Sequence, residues 1–150
     1  MSVNKAGITG YGGYVPRLRM GRKAVVGANA WYAPNLTGNG KGTRSLANWD
    51  EDSITMAVAA ARDCLGKGDD RSHVASVYLA SSTLPFAGRL NAGVGCGALT
   101  LKEEVQATDM GGTLRAGLTA IIQAIAGVNA GGGNALVVAA DSRKTQAASS

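Results

Sequence analysis

Hydrophobic and polar positions switch between two periods along this chain, and the switching predicts most of its elements. Ile54, Val58, Ala61 and Leu65 recur at helical spacing, so residues 53–66 read as an amphipathic helix with one buried stripe. Asp50-Glu51-Asp52-Ser53 supplies acidic residues and a cap at its start, and Gly66 and Gly68 end it. Residues 74–80, with their β-branched positions, predict a short strand. Residues 90–101 predict a helix of small residues, and 105–109 a further strand. From about 112 to 130, Leu114, Leu118, Ile121, Ile122, Ile125 and Val128 lie among alanines. That helix is apolar nearly all round and should be buried on more than one side. Gly131-Gly132-Gly133 breaks it, and 135–140 is a continuous apolar strand of the kind found inside parallel sheets.

The N-terminal third is less patterned. Residues 6–16 read as a first strand that runs into a glycine-rich turn and stops at Pro16. The spacing of Gly7, Gly10, Gly12 and Gly13 invites a dinucleotide-binding reading, but that motif needs a helix N-terminus to hold the pyrophosphate. Pro16 and an arginine-rich segment intervene, so a tight strand-end turn is the plainer reading. Residues 17–49 are polar, glycine-bearing and aperiodic, and are expected to form one long loop of a functional kind. Strands alternating with helices make an α/β plan with a mostly parallel sheet.

A chain of 150 residues suits one compact domain. Only 5% of its residues are aromatic, while 22 are glycine, which predicts close packing of helices on sheet over a core of small side chains. No apolar run reaches the roughly 18 residues of a membrane span, and no secretory signal opens the chain. Cys64 and Cys96 show no CxxC spacing and read as reduced, buried thiols of a cytoplasmic protein. With His73 as the lone histidine, a metal site built by this chain alone is not expected. The net charge of +5 draws on Arg17, Arg19, Arg22 and Lys23, then Lys41, Arg44 and Arg89. Such a balance permits a polyanion or a phosphorylated small molecule. The basic residues are not interleaved with aromatics and form no nucleic-acid module, so a nucleic-acid partner is not expected.

Chemistry concentrates at Asp109-Met110-Gly111-Gly112-Thr113-Leu114. A strand ends, the chain turns on glycines, and an apolar helix begins, which puts one side chain at the positive end of a helix dipole. That side chain is Leu114, which cannot ionise or attack. Asp109 reads either as a strand-end cap or as a general base. Gly111 and Gly112 read either as ordinary turn residues or as backbone donors approached by a carbonyl oxygen. Ser82 and Thr83 could bond substrate or their own loop.

Four stretches, taken in order, resemble the thiolase superfamily: Gly-Ile-Thr-Gly-Tyr-Gly-Gly-Tyr-Val-Pro-Arg, Trp-Asp-Glu-Asp-Ser-Ile-Thr-Met-Ala, Val-Tyr-Leu-Ala-Ser-Ser-Thr-Leu-Pro and Ala-Thr-Asp-Met-Gly-Gly-Thr-Leu-Arg-Ala-Gly. The branch they resemble most is that of the archaeal-type 3-hydroxy-3-methylglutaryl-CoA synthases, with ketoacyl-ACP synthase III more distant. The resemblance implies a thiolase-like layered α/β half-domain over residues 1–150, with the expected second half absent. It implies that the family's catalytic cysteine is replaced by Leu114 and its proton-transferring glutamate by Ser82. A coenzyme A thioester is the implied substrate, with Trp31, Lys41, Arg44, Gly111 and Gly112 as binding candidates and no metal. Without the cysteine the implied chemistry is an aldol, retro-aldol or Claisen-type step with no acyl-enzyme. The alternative is a non-catalytic subunit that completes an active partner. Either way the resemblance implies a homo- or hetero-oligomer. Residues 90–101 with the strand before Asp109 are one candidate surface, and a zinc-ribbon/OB-fold protein is a candidate partner.

Overall fold

A computed structural model describes residues 6–68 and 71–144. The elements run β1 (Leu18–Gly21), α1 (Arg22–Asn29), a 3-10 turn (Pro34–Asn39), β2 (Thr43–Leu46), α2 (Ser53–Leu65) and β3 (Val74–Ala80). They continue with α3 (Asn91–Ala98), β4 (Gln106–Met110), α4 (Ala116–Asn129) and β5 (Asn134–Ala139). Two compact units result. One holds Asp52–Asp141 with the described residues up to Tyr14, and the other holds Val15–Glu51 with the described residues after Asp141.

In the larger unit three parallel strands lie in the order β4-β3-β5. Parallel strands need a crossover between them, which is the service α3 and α4 perform. Alternation along β3 sends Val77 and Leu79 to one face, where they pack with Ile54, Val58 and Ala61 of α2, Ala92 of α3, and Leu136 and Val138 of β5. Tyr78 and Ala80 point to the other face, against Ala116 and Ala120 of α4. The unit is therefore layered helix, sheet, helix, the α/β architecture that the alternation of elements predicts. The buried residues of its second interface, Ala80, Ala116 and Ala120, are all alanine, with Tyr78, Met110 and Val137 packed at their margin.

Helix α2 begins as its sequence requires. Thr55 donates its backbone N–H to the Asp52 carboxylate at 2.8 Å, and Asp52 returns its own N–H to the Thr55 hydroxyl at 2.8 Å. This reciprocal cap satisfies donors that the helix itself leaves unpaired. At the other end Gly66 adopts φ 74°, a conformation glycine takes without strain.

Two expectations are corrected. Residues 6–16 form no strand. The segment instead meets two helices: the Gly13 N–H donates to the Asp63 carboxylate of α2 at 2.9 Å, and the Ala6 N–H donates to the Asn129 side chain at the end of α4 at 3.1 Å. A Cβ on Gly12 would stand 2.8 Å from the Ala60 carbonyl oxygen. The glycines thus serve approach to a helix and cradle no phosphate. Ile8 and Tyr11 are each 92% exposed, so no strand neighbour covers them among the described residues.

Residues 17–49 are not one loop. β1 and β2 pair antiparallel, Leu18 opposite Leu46 and Met20 opposite Arg44, with α1 and the 3-10 turn between them. Both strands are short and largely exposed, and α1 buries no residue. Nothing there imposes the apolar period by which a sequence reveals its elements.

Gly12→Val is expected to lower the unfolding free energy by about 1–3 kcal/mol through overpacking against α2. Gly7→Val, where a Cβ meets nothing within 4 Å, should leave it unchanged. Urea titration of the two variants checks the pair.

Candidate functional site

The loops that follow the three parallel strands gather at one edge of the sheet, where ligands of open α/β sheets bind. After β3 come Ser81, Ser82 and Thr83; after β4 come Gly111, Gly112 and Leu114; after β5 comes Asp141. Backbone bonds tie the strand ends, with Ser81 N–H to the Met110 carbonyl at 2.9 Å and Ala140 N–H to the Ala80 carbonyl at 3.1 Å.

Asp141 fastens the first loop to the third. Its carboxylate accepts the Ser82 N–H at 2.7 Å and the Ser81 hydroxyl at 3.1 Å. The Ser81 oxygen in turn accepts the Thr83 N–H at 3.0 Å. Ser53, fully buried at the start of α2, donates its hydroxyl to the Thr83 carbonyl at 2.9 Å. Four hydrogen bonds thereby fix the Ser81–Thr83 loop, while Ser82 itself stays exposed.

Asp109 is turned toward α3. One carboxylate oxygen accepts the Asn91 backbone N–H at 2.7 Å and its side-chain amide at 2.8 Å, and the other accepts the Ala92 N–H at 2.6 Å. An anion there meets the positive end of α3 and satisfies donors with no intrahelical partner. Asn91, only 1% exposed, also holds the preceding loop through Phe86: its amide donates to that carbonyl at 2.9 Å and its oxygen accepts that N–H at 3.1 Å. Asp109 therefore anchors the start of α3, a role that neither sequence reading gave it.

The glycines have conformational reasons. Gly112 sits at φ 77°, and a Cβ on Gly111 would stand 3.3 Å from the Ser81 carbonyl oxygen. Leu114 is 76% exposed in the turn before α4, so it is not a core leucine. Arg115 occupies the N-cap of α4 without a side-chain cap bond.

Ser82, Asp109, Gly111, Gly112 and Leu114 therefore share one edge of the larger unit. Trp31, Lys41 and Arg44 belong to the smaller one. Trp31 is 85% exposed and tilts against Tyr32 with ring centroids 5.8 Å apart; Arg44 lies on β2, and Lys41 is exposed just before it. Sequence reasoning did not join Asp141 to Ser81 and Ser82, and did not single out Asn91 as a polar anchor. A serine next to Ser82 and an asparagine opening a helix were the available signals, but only the fold shows which carboxylates they meet.

Burial pushes the Cys96 thiol above its ordinary range, against a weaker backbone hydrogen bond that lowers it. Among the described residues no three His, Cys, Asp or Glu side chains gather as a metal site, and no helix is long and apolar enough to cross a membrane.

Asp109→Ala strands buried donors of Asn91 and Ala92, and should cost about 1–3 kcal/mol of stability, measured by urea unfolding. Because its pKa is raised, Cys96 should form thiolate only at higher pH than an ordinary cysteine. Iodoacetamide labelling of the Cys64→Ser variant across pH should find it slow at neutrality and accelerating late.

No family model matches the chain. It is 33% identical to the hydroxymethylglutaryl-CoA synthase of Methanocella arvoryzae over 145 residues, which is 91% of this chain and 40% of that protein. Among solved structures it resembles 3-oxoacyl-(acyl carrier protein) synthase III from Pseudomonas aeruginosa, with TM-score 0.77 and 23% identity over 97% of this chain and 45% of that one. It also resembles MvaS in complex with 3-hydroxy-3-methylglutaryl coenzyme A, with TM-score 0.72 and 19% identity over 90% of this chain and 34% of that one. The chain spans about 40% of the length of the first curated relative it matches. Over that shared stretch the chain is similar in sequence to the hydroxymethylglutaryl-CoA synthases and shares its fold with these solved structures.

Proposed function

We propose that this chain holds a coenzyme A thioester at the edge formed by Ser82, Gly111 and Gly112, for a carbon–carbon bond step that forms no acyl-enzyme here. The observation that carries this reading is Leu114. In the resemblance its position belongs to the attacking cysteine, and an aliphatic side chain removes the covalent route entirely. What remains is an aldol, retro-aldol or Claisen-type step, in which backbone N–H groups of the glycine turn would stabilise an enolate oxygen. Asp109 supports that turn by holding α3, and moves no proton. Trp31, Lys41 and Arg44, which belong to the smaller unit, are the residues that the resemblance alone assigns to the coenzyme's nucleotide. The groups that would move protons come from outside the described residues, whether from further chain or from a partner such as a zinc-ribbon/OB-fold protein.

A second reading is favoured by the exposure of Leu114, which continues a row of aliphatic side chains along α4. On that reading the chain is a non-catalytic subunit whose aliphatic face meets another protein.

Titration with acetyl-CoA by calorimetry separates the two. The thioester reading expects saturable binding, weakened about tenfold in Arg44→Ala by loss of a charge-assisted hydrogen bond. Mass spectrometry after incubation should find no acetylated wild-type protein, whereas Leu114→Cys offers a thiol that can be acetylated. Absence of binding overturns the thioester reading, and an acetylated wild-type chain overturns the non-covalent one.

A further inference from the structure

Gly40, in the smaller unit, stands where the backbone does not ask for glycine. It follows the 3-10 turn at φ −73° and ψ 9°, angles open to residues with a side chain. A Cβ built on it would meet the Thr37 carbonyl oxygen at 3.5 Å, Val26 Cγ2 at 3.7 Å and Lys23 Cα at 4.0 Å, all ordinary contacts. Gly42 differs, because its φ of 78° favours glycine. The glycine at 40 matters instead for what precedes it. Asn39 and Gly40 are the one Asn-Gly pair in the chain. Lacking a Cβ, a glycine nitrogen is the least hindered backbone nucleophile that a preceding asparagine can meet.

The other asparagines show how an amide is protected. Asn91 is 1% exposed, and its amide donates to the Phe86 and Arg89 carbonyls. The Asn29 amide donates to the Val25 carbonyl at 2.7 Å, and the Asn48 and Asn129 side-chain oxygens accept the N–H groups of Trp49 and Ala6. Each of these four precedes a residue with a side chain. Asn39 is exposed at the end of its turn, and among the described residues its side chain makes no hydrogen bond. Its amide carbon is open to attack. Positive charge borders it as well. Residues 15–49 hold six Lys and Arg and no Asp or Glu, Lys41 comes two positions later, and the Arg22 N–H donates to the Gly42 carbonyl at 3.0 Å. Cations so placed favour the oxyanion through which attack on an amide must pass.

We propose that Asn39 is a self-modification site, at which the chain converts a neutral amide into a carboxylate. The Gly40 nitrogen gives its proton to base and attacks Asn39 Cγ. The new C–N bond closes a five-membered succinimide, and the side-chain nitrogen takes up a proton and leaves as ammonia. Water then opens the ring at either carbonyl, which yields aspartate or its β-linked isomer. Nothing is oxidised or reduced, and water is the only co-reactant. The product is an anion in a stretch that otherwise has none, so it weakens the attraction of this corner for any other anion. The proposal does not depend on the thioester reading, because its test contains no ligand.

Peptide mapping by mass spectrometry of the full chain, incubated at mildly acidic and mildly alkaline pH, tests it. The expected result is conversion of amide to acid at Asn39, faster at the alkaline pH, with both aspartate and its β-linked isomer among the products. Asn35, exposed in the same turn but followed by Leu36, should keep its amide over the same period. Gly40→Ala, which the contacts above tolerate and circular dichroism verifies as folded, should slow the conversion roughly tenfold or more, because a methyl group crowds the attacking nitrogen. An Asn39 amide that persists at alkaline pH overturns the proposal. So does a conversion equally fast in Gly40→Ala, or one that takes Asn35 at the same rate.

Discussion

The carboxylate of Asp109 is the hinge pin of the larger unit. It closes β4, faces the open end of α3, and accepts three hydrogen bonds from Asn91 and Ala92. Strand end and helix start are fixed to each other by one side chain, and Asn91 passes that constraint to the loop at Phe86. The turn at Gly111 and Gly112 begins two residues later, so its position relative to Ser81 is inherited from this anchor. A half-buried carboxylate is satisfied here because three donors meet it, two of them at a helix N-terminus.

Burial decided which elements were legible in the sequence. α2 and β3 face a core on Ile54, Val58, Val77 and Leu79, and the helical spacing of the first and the β-branched positions of the second stood out. α1, β1 and β2 lie at the surface, with no buried residue in the helix and little in the strands, so the sequence there gave no period to read. The glycine run at 7–13 was legible as a place needing glycine, but not as one needing it for α2, because the cause is a contact with Cys64 and Ala60 fifty residues away. The edge of the sheet was half legible. Asp109 and the glycine turn follow from local pattern, whereas the bonds of Asp141 to Ser81 and Ser82 join positions sixty residues apart.

The alanine interface under α4 bears on how this unit is stabilised. Alanine loses no side-chain entropy on burial, so close approach of α4 to Tyr78, Ala80 and Val137 is inexpensive. The same alanines bury little apolar area, and the large hydrophobic gain available to α4 lies with the aliphatics on its far side. The helix is thus docked by its lesser face. Its position rests on backbone continuity with β4 and β5 as much as on its own contacts with the sheet.

The linkage between Asp141 and the Ser81–Thr83 loop makes the far ends of β3 and β5 one mechanical element. Through the Thr83 carbonyl and Ser53, that element also reaches the first turn of α2. A molecule that drew Ser82 outward would unlatch a carboxylate on another strand and tug at a helix on the opposite layer. Occupancy of this rim would therefore be felt across the sheet as altered amide exchange in α2, well beyond the atoms it touched.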